Sequence, residues 1–241
     1  MNSSNANPHL LAARKRYLLF RIAVLISLAV ILLAVPDSIS PAMPGRFAER
    51  LSVLHIFWAM WMVYLIAKIL PWRRLHNRSE FRQFAASFAA RVPFPSREVI
   101  KKHVRRANMQ ALRSAVAWLA LTFFIGLMRK LHVIHERGLV ILTGIFYVCD
   151  LICVIYYCPF QHLLMKNSCC GTCRIHNWDA IMMFTPMAFT DGFFGLSLFT
   201  LSAVVFLLWE IRFHLHPERF LQITNANLSC ACCTEHLCKT R

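Results

Sequence analysis

Acidic residues and glycine are scarce in this chain of 241 residues. It has 11 Asp and Glu against 27 Lys and Arg, a formal net charge of +16, and only 7 glycines. Few glycines and no low-complexity tract argue against long flexible linkers. The chain has no internal repeat, which excludes a solenoid. The basic excess is not accompanied by a nucleic-acid-binding motif or a platform of stacking aromatic residues, so we expect no nucleic acid partner.

Motifs of common enzyme classes are also missing. The sequence has no Ser/His/Asp set, no phosphate-binding loop and no metalloprotease helix. Whether the protein is an enzyme therefore stays open at this level, and no substrate is predicted.

Hydrophobic residues make up 58% of the chain, with a mean hydropathy of +0.50. That composition is typical of a polytopic membrane protein. Arg14-Lys15-Arg16 precede the first apolar run, as in a cleavable signal peptide, but its length and the lack of a small-x-small site favour an uncleaved span. Four spans are predicted, over Tyr17–Val35, Leu51–Leu70, Ser114–Met128 and Gly138–Tyr157.

The apolar run Ala180–Trp209 is longer than one span and shorter than two. Asp191-Gly192 is a turn signal within it. We therefore predict a re-entrant helical hairpin, with a surface helix followed by a fifth full span as the alternative. The predicted fold class is an all-α membrane bundle of four spans plus this hairpin, or of five full spans.

The chain divides into seven segments on these criteria. They are a disordered basic N-terminus (1–16), a first two-helix hairpin (17–70), a basic amphipathic loop (71–113), a second two-helix hairpin (114–158), a cysteine-rich segment (159–179), the re-entrant hairpin or fifth span (180–209) and a cysteine-rich tail (210–241).

The basic loop carries two predicted helices. Phe81, Phe84 and Phe88 share one helical face, which predicts a short surface helix. Ser96 is placed to cap a second helix, for which an unbroken run into the third span is open. The second helix carries four basic residues expected to face anionic lipid headgroups: Lys101, Lys102, Arg105 and Arg106. Ordinary membrane-surface packing is favoured over headgroup sensing.

The distribution of Lys and Arg predicts the orientation. With the N-terminus inside, fifteen fall on the inner side and five on the outer side. The positive-inside rule then gives a multi-pass protein of the cell membrane with a cytoplasmic N-terminus. The first cysteine segment is cytoplasmic in this topology, and a re-entrant hairpin would bring the tail to the same side.

Four charged residues are predicted to lie within the membrane: Arg21, Lys68, Asp150 and Asp191. Charges in a bilayer are costly and usually paired. We predict that Asp150 pairs with Arg21 or Lys68, and favour a structural ion pair over a step in a proton or electron pathway. Surface ion pairs of low value are expected for Glu210, Arg212, Glu218 and Arg219.

Eight of the ten cysteines fall in two short windows, one holding Cys158, Cys169, Cys170 and Cys173 and the other Cys230, Cys232, Cys233 and Cys238. Each window contains a C-x2-C pair, and two such pairs supply a tetrahedral thiolate set. The predicted ligands are Cys170, Cys173, Cys230 and Cys233, with Cys158, Cys169, Cys232 and Cys238 as additional candidates.

Zinc is the favoured metal and an iron–sulfur cluster comes next, since the spacing does not match the ferredoxin run. Disulfides are the alternative, but they need an oxidising compartment. Cys149 and Cys153 are expected to be buried small residues of the fourth span.

Several short motifs resemble a group of uncharacterised prokaryotic integral membrane proteins. They are CPFQ (158–161), KNSCCGTCRIHNWD (166–179), MMFTP (182–186), HPERF (216–220) and the cysteine-rich end. The resemblance covers roughly the last hundred residues. It implies no activity, cofactor or catalytic residue.

Three functions are compatible with this sequence. The favoured one is a membrane protein whose cytoplasmic face carries a cysteine-rich metal site, with a scaffold or interaction role toward a protein partner. The alternatives are a membrane redox protein with an iron–sulfur cluster and a thiol-dependent transporter of a metal or small solute.

Overall fold

The computed structural model describes residues 8–49, 51–70, 78–167, 169–229 and 232. Over these residues the protein is helical, with no strand and one isolated bridge between Ala90 and Asn225. Helices α1, α4, α5 and α7 are each long and apolar enough to cross a membrane, which confirms the predicted all-α membrane bundle. The α-helices are α1 (Pro8–Ala34), α2 (Val53–Ile69), α3 (Arg78–Phe81), α4 (Arg97–Lys130), α5 (Glu136–Ile155), α6 (Asp179–Phe184) and α7 (Phe193–Leu215).

Helix α2 corresponds to the second predicted span but is shorter, at 17 residues. Its start is fixed by Ser52, whose hydroxyl accepts from the Leu54 N–H at 3.2 Å. The His55 ring accepts in turn from the Ser52 N–H at 3.0 Å. This reciprocal pair is a capping box, with histidine in the place usually taken by Glu or Gln.

Helix α4 joins the basic helix and the third predicted span into one unit of 34 residues. At 1.5 Å per residue it is about 50 Å long, well beyond the hydrocarbon thickness of about 30 Å. The helix is therefore too long to lie wholly within the hydrocarbon, and its basic first half extends beyond the part that the apolar second half can span. The helix begins at Arg97, directly after Ser96, as the sequence predicts.

The predicted surface helix through Phe81, Phe84 and Phe88 is largely wrong. Helix α3 ends at Phe81, and a separate 3-10 turn covers Ala85–Ser87. Phe84 instead contacts Trp209 of α7, with ring centroids 5.2 Å apart. Aromatic packing against the bundle replaces the regular helical face.

The run 180–209 forms a hairpin. Helix α6 continues as a 3-10 helix, Thr185–Phe189, because Pro186 cannot supply an N–H for α-helical bonding. At the turn, Gly192 lies so close to the loop after α1 that a Cβ would be 2.1 Å from the Ala42 carbonyl oxygen. Helix α7 then returns at the full length of a span. The descending limb is thus short and broken, whereas the returning limb is continuous.

The bundle has two ends, named here by their connections. The outer end carries the 35–52 and 131–135 loops and the hairpin turn at 190–192. The inner end carries the 78–96 loop, the cysteine segment and the tail. Because both limbs of the hairpin begin or end at the inner end, residues 159–178 and 217–229 lie on the same side of the bundle.

Large apolar side chains fill the bundle interior. Trp61 of α2 and Phe184 of α6 are fully buried and meet edge to face at 5.7 Å. Gly144 of α5 faces α1, where a Cβ would be 2.9 Å from Leu25. Gly126 of α4 faces the 3-10 limb, where a Cβ would be 2.7 Å from Phe189. These two glycines permit close helix approach, as small residues do in membrane bundles.

Three segments cover the inner end, and we name them together the inner cap: 81–91, 159–178 and 217–229. The Arg91 N–H donates to the Thr224 carbonyl at 2.9 Å, and the Ala226 N–H donates to the Ala89 carbonyl at 2.8 Å. The fully buried Asn225 donates its side-chain amide to the Arg82 and Arg219 carbonyls at 3.1 and 2.8 Å. The tail is therefore tied to the 81–91 segment by backbone and side-chain hydrogen bonds.

Candidate functional site

The cysteine segment forms a compact turn within the inner cap. A 3-10 turn covers Cys170–Thr172, and the Thr172 N–H donates to the Cys169 carbonyl at 3.3 Å. Asn167 holds both ends of this turn, since its Oδ1 accepts from the Cys169 N–H and its amide donates to the Thr172 hydroxyl, each at 3.3 Å. The backbone of the first C-x2-C pair is thus shaped by short-range hydrogen bonds.

The pKa values of Cys158 and Cys173 are shifted in opposite directions. Cys173 is only 7% exposed, and burial raises its pKa to about 12. Cys158 follows the end of α5, and a hydrogen bond from Cys153 lowers its pKa to about 7, against the opposing effect of burial. The Gln161 N–H, 3.4 Å from the Cys158 sulfur, acts in the same direction as Cys153. Cys158 is therefore the more reactive nucleophile of the two.

The structure describes only some of the predicted metal ligands. Cys230, Cys233 and Cys238 lie outside the described residues, and the side chain of Cys170 does too. Within the described residues, no three His, Cys, Asp or Glu side chains are grouped to hold a metal ion. Cys158, Cys169 and Cys173 are near enough to interact electrostatically, and Cys232 is exposed.

The first cysteine window and the segment just before the second are attached to the same short stretch of chain. The Gln83 amide donates to the Gly171 carbonyl, inside the first C-x2-C turn, at 3.3 Å. The neighbouring Arg82 donates to the Asn227 carbonyl, just before the second window, also at 3.3 Å. Adjacent residues of the 81–91 segment thus hold the first window and the segment that precedes the second window.

Arg174 and Trp178 of the cysteine segment bind Glu210 of α7. The Arg174 guanidinium makes two bonds to the carboxylate, at 2.8 and 2.5 Å, and the Trp178 indole donates to it at 2.6 Å. Arg174 also donates to Asn108 at 3.2 Å and stacks on Phe213, 3.7 Å from the ring centroid. The sequence-based expectation that Glu210 forms a weak surface pair is wrong, because the cysteine segment folds over it.

Asn177 and Asp179 are likewise held by the protein. The Asn177 amide donates to the Gln83 side-chain oxygen at 2.6 Å. Asp179 begins α6 and accepts from Lys68 at 2.5 Å and from the Tyr64 hydroxyl at 3.2 Å. Asp179 is therefore the first residue of α6, and its carboxylate is engaged in an ion pair.

Three of the four charges predicted to lie within the membrane, Arg21, Lys68 and Asp150, fall into two clusters. Arg21 binds Asp150 at 2.8 Å and the Tyr147 carbonyl at 2.6 Å, which confirms Arg21 as the predicted partner of Asp150. Lys68 is not that partner, because it lies between Glu80 at 2.8 Å and Asp179 at 2.5 Å. Both cations also sit over tyrosine rings.

Asp191 lies at the opposite, outer end. It is in the hairpin turn, where its carboxylate is 3.2 Å from Arg129, and its side chain is 70% exposed. Arg129 also pairs with Glu136 and donates to the Phe189 carbonyl at 3.3 Å. Asp191 therefore belongs to a cluster that fixes the turn. Lys101, Lys102, Arg105 and Arg106 are all exposed on the first half of α4.

The sequence did not point to Tyr64, Glu80, Gln83 or Glu210 as parts of this region. Glu80 had one usable signal, since it is one of only two acidic residues in the basic 71–113 loop. Gln83 had none, because a lone glutamine in a polar loop carries no signal until the cysteine segment is seen to pack against it. No family model matches this chain, and no curated protein or solved structure is significantly similar to it.

Proposed function

We propose that this protein is a multi-pass membrane scaffold whose cytoplasmic inner cap binds a metal ion through cysteine thiolates, zinc being favoured. The observation that carries the proposal is that the first cysteine window and the segment just before the second are attached to adjacent residues. Gln83 bonds to Gly171 of the first window, and Arg82 bonds to Asn227 before the second. This arrangement supports a site shared by thiols that are far apart in the sequence.

The proposed ligands are Cys170, Cys173, Cys230 and Cys233. Their donor chemistry fits the metal, because two C-x2-C pairs give an all-thiolate set, which zinc and iron–sulfur clusters both use. Cys230 and Cys233 enter through their spacing alone. An ion shared by the two windows would tie the tail to the cysteine segment, adding to the hydrogen bonds already there. Binding would also deprotonate Cys173, whose pKa burial otherwise raises.

A scaffold role is favoured because the polar side chains beside the thiols are already in use. Arg174, Asn177, Trp178 and Asp179 each bond to another part of the protein. A catalytic centre would need polar groups directed at a substrate. Here these four polar side chains are engaged by the protein itself, which suits a structural ion and a surface offered to a protein partner.

The cytoplasmic assignment rests on charge. The basic half of α4 and the rest of the 71–113 loop belong to the inner end, and the positive-inside rule assigns such a loop to the cytoplasm. A reporter fused after Arg241 and one inserted in the 71–113 loop should both report the cytoplasm. Opposite locations would remove the shared site.

The deciding experiment is elemental analysis of anaerobically purified protein and of four single variants, C170A, C173A, C230A and C233A. We expect about one zinc ion per chain in the parent and loss of most of it in every variant, since three thiolates leave an exchangeable position. C149A is the matched control, because Cys149 lies within α5 and should not affect the metal content.

Other outcomes assign the alternatives. Broad absorption near ~400 nm with bound iron would identify the iron–sulfur redox protein. Metal-dependent uptake into vesicles would identify the transporter. Metal loss from only one pair of variants would mean separate sites, and full retention in all four would mean that these thiols are not ligands.

A further inference from the structure

A cleft of about 240 Å³ opens in the inner cap between the first half of α4, the cysteine segment and the inner end of α7. One wall is apolar and includes Phe213 and Phe220. The polar lining residues that matter here are Gln83, His103, Arg106, Gln110, Lys166 and Arg174.

The cleft is positively charged. Its lining includes Arg106, Lys166 and Arg174 and no carboxylate. The positive charge of Arg174 is neutralised by its two bonds to the Glu210 carboxylate. Arg106 and Lys166, by contrast, form no ion pair with any residue in the described part of the chain. Two uncompensated cations therefore approach the same small space from different elements.

Lys166 is held in an unusual backbone conformation. Its φ of +47° lies in the left-handed region, which residues other than glycine, Asn and Asp seldom adopt. Hydrogen bonds on both sides fix it: the Met165 N–H donates to the Phe160 carbonyl at 2.9 Å, and the Asn167 N–H to the Gln161 carbonyl at 3.1 Å. Such strain persists only where the surroundings impose it, and it concentrates at ligand sites.

Gln83 adds an oriented neutral donor. It is 3% exposed, and its side-chain oxygen accepts from Asn177 at 2.6 Å. The Gly171 carbonyl at 3.3 Å from the other end can only accept, which identifies that end as the nitrogen. That nitrogen uses one hydrogen for the Gly171 carbonyl. Because a primary amide has two N–H donors, the second is left for a ligand in the cleft.

We propose that this cleft binds a phosphate group, with Arg106 and Lys166 supplying charged hydrogen bonds and Gln83 a neutral one. A phosphate has several acceptor oxygens and suits donors that converge from three elements. A phospholipid headgroup and a small soluble phosphate compound share this chemistry. The sequence predicted that Arg106 faces headgroups together with Lys101, Lys102 and Arg105; the structure separates Arg106, because Lys101 and Arg105 line a different groove of α4.

The chain offers a matched control for the test. Arg105 and Arg106 are adjacent, exposed and equally charged, but only Arg106 lines the cleft. Arg106→Gln and Arg105→Gln therefore change the net charge identically. Lys166→Asn removes the second cation while keeping a residue that tolerates the left-handed conformation. The thermal midpoint without phosphate shows whether each variant is folded. If Lys166→Asn is unfolded, the comparison of Arg106→Gln with Arg105→Gln decides the test.

The first arm titrates inorganic phosphate into the full-length protein in neutral detergent by calorimetry, at constant ionic strength. The second compares the thermal midpoint in phosphatidylcholine nanodiscs with and without phosphatidic acid. If the ligand is a soluble phosphate, Arg106→Gln and Lys166→Asn should each weaken phosphate binding about ten-fold. If it is a lipid headgroup, each should abolish the stabilisation by phosphatidic acid. Arg105→Gln should leave either quantity unchanged.

The two arms identify the source. Variant-sensitive binding of inorganic phosphate supports the proposal with a soluble ligand. Variant-sensitive stabilisation by phosphatidic acid alone supports it with a lipid headgroup. Equal losses in Arg105→Gln and Arg106→Gln would mean general attraction to a basic surface and would overturn the proposal, as would the absence of variant-sensitive binding in both arms.

Discussion

The membrane bundle and the inner cap differ in the interactions that hold them together. In the bundle, fully buried apolar side chains such as Trp61, Leu65 and Phe184 interlock across helices. In the cap, single polar side chains bond to backbone carbonyls of other segments, as Asn225 does to Arg82 and Arg219. Burial energy in the bundle is spread over many contacts, whereas the cap depends on a few directed bonds. One polar substitution should therefore disturb the cap more than one apolar exchange disturbs the bundle.

The two buried ion clusters differ in what they connect: one joins two helices of the bundle, and the other joins the bundle to the cap. Arg21 and Asp150 join α1 to α5 within the bundle. Lys68 of α2 joins Glu80 of the 78–96 loop and Asp179 at the start of α6. The second cluster thus fixes where cap segments meet the bundle. It also places two carboxylates around one ammonium group, so that removing the cation takes an ion pair from both carboxylates.

The largest expected effect follows from that arrangement. Lys68→Met should lower the free energy of unfolding in detergent by about 3–5 kcal/mol, because two buried carboxylates lose the ammonium group that lies between them. Adding Glu80→Gln and Asp179→Asn to the same variant should restore much of the loss. Lys101→Met, at an exposed position of α4, is the control and should change stability by under about 0.5 kcal/mol. Equal effects of the two lysine variants would refute the structural role of the cluster.

A smaller and more local effect is expected in the cap. Asn225→Ala removes two hydrogen bonds, to the Arg82 and Arg219 carbonyls, from a fully buried position, at a cost of about 2 kcal/mol. Hydrogen exchange of the Arg91 and Ala226 amides should accelerate roughly thirty-fold, since both bond across the junction between the tail and the 81–91 segment.

The bundle is the internal reference for this experiment, and its slowest amides should keep their exchange rates. Gln222→Ala is the matched control, because the Gln222 side chain is exposed. Acceleration throughout the bundle would show that the cap and the bundle unfold as one unit.

Much of the bundle could be predicted because length and hydropathy are local quantities. The hairpin followed from comparing the length of the 180–209 run with one span and from the Asp-Gly pair. Helix α2 ended up shorter than predicted because the Ser52–His55 capping box, rather than hydropathy, fixes its start. The extension of α4 into the third span was visible from the absence of a breaking residue after Ser96.

The cap was much less predictable because its contacts are distant in the sequence. Glu210 bonds to Arg174, and Asp179 to Lys68, and neither partner is marked by spacing or composition. The aromatic periodicity of Phe81, Phe84 and Phe88 predicted a helix, but packing of Phe84 on Trp209 outweighed local propensity. The thiol clusters were visible from composition, yet the difference in environment between Cys158 and Cys173 depends on tertiary burial and on Cys153.

The last prediction uses that difference and leaves stability unchanged. Thiolates, not thiols, react with iodoacetamide, so the labelling rate follows the fraction ionised. The lowered pKa of Cys158 means that its thiolate forms as the pH rises through about 7. Its labelling should be half-maximal near that pH and fall about ten-fold per unit below it. Cys173, whose pKa burial raises to about 12, should remain almost unlabelled over the same range.

Peptide mapping by mass spectrometry resolves the two thiols, because they lie on different peptides. C153A tests the cause, since loss of the hydrogen bond from Cys153 should move the midpoint of Cys158 labelling to higher pH. A midpoint near 8.5 in the parent protein would contradict the lowered pKa. Labelling of Cys158 that appears only after chelation would instead assign this residue to the metal ligands, and the inner cap would then hold its ion with Cys158 in addition to the C-x2-C pairs.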